Sequence, residues 1–175
     1  WYQTSANQFG NCTMNSVLID GDSIILVSGA GFTVDTIYEE GFESGMNGWT
    51  HTNGNSFPAA WAIESSTYRS GWTPPSASDS SLWIDSDASG SVTIADTAWS
   101  PSIPAEPGLA WVKFGLAYNY YSASEAFDVG IKVFNSGTWN NPVELKSYPG
   151  VDVLSSWDSL DISSYDGCDS IRIYY

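Results

Sequence analysis

With 175 residues, 42% of them hydrophobic and 15% aromatic, the chain has the length of one ordinary domain and ample material for a packed core, which excludes disorder over its whole length. Twenty Asp and Glu against five Lys and Arg give a formal charge of −15. Such a surface repels phosphate backbones and anionic head groups, so nucleic acid is excluded as a partner, and no run of about eighteen apolar residues is present for insertion into a membrane.

The chain opens at Trp1 with neither a Met nor a charged-then-apolar leader, which reads as a processed or trimmed start. Asn11-Cys12-Thr13 satisfies the N-glycosylation pattern, with Asn11 as the acceptor. Residues 16–28 form two β-rich runs split by Asp20-Gly21-Asp22, a hairpin signal. A strand is expected over 37–42. Residues 46–81, rich in Gly, Asn, Ser, Thr and Pro, read as long ordered loops around one short strand at 61–64. Further strands are expected at 81–84, 90–95, 109–121, 126–135, 143–148, 156–161 and 170–175. Over Phe127-Asp128-Val129-Gly130-Ile131-Lys132-Val133 polar and apolar residues alternate, as in a strand with one wet face, and Asn135-Ser136-Gly137 turns it around. No helical periodicity persists for long, so helix content is expected to be very low. Cys12 and Cys168 lie near opposite ends of the chain. They form either a disulfide closing a very long loop or two buried free thiols, and spacing does not choose between these.

Catalysis finds little support in the residues. Histidine, the commonest acid–base group, occurs once, and His51 reads as a polar loop residue. Carboxylate pairs such as Asp85 with Asp87, or Glu125 with Asp128, suit glycoside hydrolysis in principle, but among twenty acids such neighbours arise by chance. Hard cations take several oxygen ligands from loops, and Asp79-Ser80, Asp85-Ser86-Asp87 and Ser124-Glu125 supply them at turns, so a structural calcium ion is a candidate cofactor. Trp49, Trp61 and Trp72, set in polar surroundings, are candidates for stacking on sugar rings; their other reading is as inward anchors that pin long loops.

Taken in order, Glu40-Gly41-Phe42-Glu43-Ser44-Gly45, Gly48-Trp49, Trp61-Ala62-Ile63, Ser81-Leu82-Trp83-Ile84, Trp99-Ser100-Pro101-Ser102-Ile103, the strand at 109–118, and Trp157 through Asp161-Ile162-Ser163 into Ser170-Ile171-Arg172-Ile173 resemble the MAM-like jelly-roll domains that include the cleaved-adhesin modules of bacterial surface proteases. The resemblance spans roughly 38–175 and rests on the order and spacing of these motifs. It implies a two-sheet antiparallel jelly-roll β-sandwich, an extracellular or cell-surface setting, adhesion or carbohydrate binding, and calcium near the first strand and facing loops. On matching positions it nominates Glu43, Asp79 and Glu125 as metal ligands. Such domains usually end with one further strand, so the resemblance also implies a vacant sheet edge, which is a template for a neighbouring chain.

The expected organisation is therefore an N-terminal hairpin extension over 1–35 and a jelly-roll domain over 36–175 lacking its last strand. The expected function is a non-catalytic adhesive or structural module, a self-assembling filament or surface-layer subunit that pairs strands with copies of itself or with other surface proteins. The competing expectation is a carbohydrate-binding module of a larger secreted enzyme, with glycans as partners.

Overall fold

The computed structural model describes residues 8–9, 12–20, 23–28, 36–53, 60–65, 68, 75, 79–85, 94–123 and 125–175. The chain divides into two compact units, Trp1–Thr36 and Ile37–Tyr175. In the first, β1 (Gln8–Phe9), β2 (Cys12–Asp20) and β3 (Ser23–Ser28) form a three-stranded antiparallel sheet in the order β1-β2-β3. Asp20 stands opposite Ser23, so the Asp20-Gly21-Asp22 signal marks the reversal, although residues 21–22 themselves lie outside the described residues.

The second unit is all-β and antiparallel, with the two-layered character of a β-sandwich. Its strands are β4 (Thr50–Asn53), β5 (Ala62–Ser65), β6 (Ser80–Trp83), β7 (Asp96–Trp99), β8 (Ile103–Pro104), β9 (Trp111–Tyr118), β10 (Ala126–Asn135), β11 (Thr138–Trp139), β12 (Val143–Pro149), β13 (Val153–Asp161) and β14 (Ser170–Tyr174). The large sheet runs β11-β10-β14-β7-β4, with β12 also on β10 and β8 also on β14. β9 pairs β13 and β5 pairs β6 in two further ladders. The only helical element among the described residues is a 3-10 turn at Ser163–Tyr165.

Alternation explains the layering. Phe114 and Leu116 of β9, Val129, Ile131 and Val133 of β10, and Ile171 and Ile173 of β14 share one core with Tyr148 and Ile162, while Trp111, Lys113, Lys132 and Arg172 occupy the opposite parity. The β9–β13 ladder thus covers one face of the large sheet. A second cluster, Trp49, Trp61 and Ala98, joins this core through Phe127 and Tyr175, which pack against both. β10 reverses through Ser136 (φ 51°) and Gly137 (φ 84°), two left-handed residues between Asn135 and its partner Thr138, the geometry of a two-residue hairpin.

Three expectations are corrected. Residues 37–42 are not a strand: Phe42 has φ 61° and its N–H bonds Glu40 Oε1 at 2.6 Å, so the glycine-containing stretch closes a local turn instead of extending. The loop region holds an additional strand, β4, whose polar Thr-His-Thr sequence carries no apolar alternation. The strand expected at 90–95 begins at Asp96 in the described residues, 86–93 lying outside them. As for the sheet edge, β14 is central, flanked by β10 on one side and by β7 and β8 on the other; the sheet's borders among the described residues are β4 and β11 with β12.

Gly130 of β10 is buried beneath the ring of Tyr174, its cross-strand partner, and a Cβ at that position overlaps the ring. Gly130→Ala is expected to destabilise the unit by about 1–2 kcal/mol in denaturant titration, and Gly130→Ala combined with Tyr174→Ala to recover part of that loss.

Candidate functional site

The nominated metal ligands are only partly gathered. Glu43 follows the left-handed Phe42, which turns its carboxylate toward the start of β6, where Oε1 accepts from the Asp79 N–H at 2.5 Å and Oε2 from Ser80 Oγ at 3.5 Å. Glu125 instead closes its own loop, accepting from the Tyr121 N–H at 2.8 Å. Glu43 meets the Asp79 backbone, Glu125 bonds within its own loop, and among the described residues no three His, Cys, Asp or Glu side chains converge on a cation position.

Trp49 and Trp61 are buried, at 7% and 9% exposure. Trp49 stacks on Tyr175 at 5.6 Å and 4°, meets Phe42 edge-on at 5.4 Å, and donates its indole N–H to Tyr38 Oη at 2.9 Å. Trp61 lies edge-on to Phe127 and donates its indole N–H to the Asp96 carbonyl at 3.2 Å. Both rings are packed into a buried cluster with Ala98, so these two tryptophans hold the loops as anchors; Trp72 lies outside the described residues, as does Asn11. Cys168 is a free thiol that bonds the Ser170 carbonyl at 3.6 Å, and burial pushes its pKa up; Cys12 is in β2 of the other unit.

His51 proves to be more than a loop residue. It lies on β4 opposite Ala98, and its Nδ1 is 3.0 Å from Oδ2 of Asp96, a fully buried carboxylate that also accepts the Trp61 N–H at 3.2 Å. The other oxygen, Asp96 Oδ1, is buried with no partner among the described residues. One acid thus ties β4, β7 and the approach to β5 together, a cross-link no spacing in the sequence reveals.

The exposed chemistry lies elsewhere, on the outer face of the β9–β13 ladder. There Trp157 stands opposite Gly115, Ser159 opposite Lys113, and Asp161 opposite Trp111. Trp111 and Trp157 are 55% and 47% exposed, and Leu154 of β13 and Val151, just before it, are exposed at 62% and 58%. Lys113 Nζ sits 4.6 Å over the Trp157 ring. Gly115 leaves room for Pro75, which would lie 3.1 Å from a Cβ there. The parity signal for this face was present in the sequence: Lys113 shares a side with Trp111, and a lysine in the stripe marks it as the wet one.

Comparison with protein-family models, with curated proteins and with solved structures finds no match to this chain.

Proposed function

We propose that the chain is an extracellular, non-catalytic adhesive or structural module of jelly-roll type, which joins copies of itself or another surface protein through the β9–β13 ladder. The observation that carries this reading is the exposure of four large apolar side chains in and beside the β9–β13 ladder, Trp111, Trp157, Leu154 and Val151. Exposed large apolar side chains gathered on one element favour association, and tryptophan is enriched where binding energy concentrates. Among the described residues no further strand pairs with the ladder, and addition of a strand at a sheet edge is a common route of association. The order of motifs shared with MAM-like and cleaved-adhesin domains supports the same class.

Sedimentation velocity of the full chain over a wide concentration range tests it. Association that rises with concentration is expected, with Trp111→Ser and Trp157→Ser each weakening it about tenfold or more while leaving the melting midpoint nearly unchanged. A chain that stays monomeric at the highest concentration reached, and shows no pull-down of itself from solution, refutes self-assembly through this face.

A further inference from the structure

The opposite side of the unit carries a second and chemically different surface. On the outer face of the large sheet, Lys132 of β10 stands directly across from Arg172 of β14. Like charges at facing positions of an antiparallel pair oppose folding. Each side chain reaches past the other's strand: Lys132 Nζ lies 5.7 Å from the ring centre of Trp99 on β7, beyond β14, and the Arg172 guanidinium 5.5 Å from that of Trp139 on β11, beyond β10. Tyr174 packs on Trp99 at 5.0 Å and Phe134 on Trp139 at 5.2 Å. Because β7, β14, β10 and β11 are successive neighbours, the four groups form a diagonal belt across the strands, with Trp99 level with Gly130 of β10 and Trp139 level with Phe134, so that the two rings lie about 14 Å apart across the strands and about 13 Å apart along them. All six side chains are partly exposed, and Gly130, with no side chain of its own, lets Tyr174 lie down on the sheet, which keeps the belt low.

The charge pattern points to an occupant. In a chain with twenty carboxylates and five cations, a surface cation meets an acid easily, as Lys146 does with Asp158. Among the described residues neither Lys132 nor Arg172 has a carboxylate within ion-pairing distance, and Arg172 Nε is buried with no hydrogen-bond acceptor. Asp128 and Glu144 lie at the Tyr174 end, where with burial they raise the phenol's pKa, and Asp169 lies at the other end, accepting from the Ser136 N–H in the β10–β11 turn. Acids at either end confine a negatively charged chain to the line through the two cations.

We propose that this belt binds an anionic polysaccharide, with its charged groups at Lys132 and Arg172 and its sugar rings against Trp99 and Trp139. Anionic groups recover the two charge-assisted hydrogen-bonding positions, and flat sugar rings match indole faces at either end. An acidic polypeptide fits less well. Peptides join sheets at an edge through backbone pairing, whereas both cations sit on strands with neighbours on either side. The site is independent of the β9–β13 patch and places glycan recognition on the side away from it.

The test is calorimetric titration of the full chain, with tryptophan fluorescence in parallel, against polygalacturonate, dextran sulfate, neutral dextran and polyglutamate at 0.15 M ionic strength, where a Debye length of about 8 Å screens the protein's net negative charge. Binding of at least one of the two anionic polysaccharides, with none of neutral dextran, is expected; which one binds tells whether carboxylate or sulfate is the group recognised. Lys132→Gln and Arg172→Gln are each expected to weaken it about tenfold. Arg172→Lys, which keeps the charge and loses the planar fork, is expected to weaken it several-fold and serves if the glutamine variants fail to fold. Failure of both anionic polysaccharides to bind, equal binding of neutral dextran, or unchanged affinity in a folded double variant overturns the proposal. Polyglutamate binding as tightly as the polysaccharides overturns it too, and reassigns the belt to an acidic protein partner.

Discussion

Phe127→Ala is expected to cost about 3 kcal/mol and to lower the melting midpoint of the 37–175 unit by roughly 10 °C. Phe127 touches four rings: Trp61 edge-on at 6.5 Å, Tyr118 at 5.9 Å, Tyr148 at 5.7 Å and Tyr175, stacked, at 5.9 Å. It also links the aliphatic core of the two layers to the Trp49–Trp61 cluster. Removing the ring takes away buried apolar area and leaves a cavity bounded by rigid neighbours, which relax poorly into it. Phe127→Leu, which retains most of the volume but no ring geometry, is expected to cost about half as much. Calorimetric unfolding of the three proteins decides; an alanine variant within 1 °C of the parent would mean that the two clusters do not depend on this ring.

How far the sequence discloses this arrangement depends on the period of each segment. Strands with strict alternation, such as Phe127 to Val133, are readable because polar and apolar residues separate onto two faces with period two. β14 is readable for the same reason, its Ile171 and Ile173 inward and Arg172 outward. β4 is not, because Thr50, His51 and Thr52 are all polar and are held by pairing to β7 and by the buried Asp96, both contributed by residues some 45 positions away. The converse failure is residues 37–42, apolar enough to suggest a strand, yet turned by Glu40 bonding the Phe42 N–H. The same limit governs the candidate surfaces. Trp49 and Trp61 look like ligand-binding tryptophans in a polar context, but a long polar loop needs inward anchors, and their indole N–H groups find Tyr38 and Asp96. Trp111, Trp157, Trp99 and Trp139 lie in or beside strands that read as core, and only the lysines and arginine sharing their side reveal that these rings face outward. Pairing of Lys132 with Trp99 and of Arg172 with Trp139 crosses strands whose order, β11-β10-β14-β7, no local pattern encodes.

Asp158→Asn is expected to remove about 2 kcal/mol at neutral pH, and the size of that loss should itself depend on pH. Asp158, on β13, accepts through Oδ2 from both Lys146 Nζ and Tyr148 Oη of β12, and through Oδ1 from the Ser159 N–H at 2.7 Å. The cluster therefore clasps the edge of the large sheet to the edge of the covering ladder. Burial pulls the Asp158 carboxyl upward, but the bonds from Lys146, Tyr148 and Ser159 outweigh it and hold the group below its ordinary value of 3.8. A carboxyl whose pKa is depressed by folding contributes stability that is present above the unfolded value and lost as pH falls through the folded one. The gap between the parent and Asp158→Asn is thus expected to be full at pH 6–7 and to shrink progressively below about pH 4. Tyr148 carries the opposite sign: burial and the Asp158 bond raise its phenol, so its share is complete below the ordinary value of 10.0 and declines only as pH rises beyond it. Charge-assisted hydrogen bonds of this kind are worth about 1.5–3 kcal/mol, and the amide leaves Lys146 without its counter-charge and the Tyr148 hydroxyl with a weaker acceptor. A double-mutant cycle joining Asp158→Asn with Tyr148→Phe, followed by urea unfolding at pH 3, 5 and 7, isolates the shared term. A coupling energy near zero at pH 7, or a gap that stays constant down to pH 3, would show that the two layers hold together without this clasp.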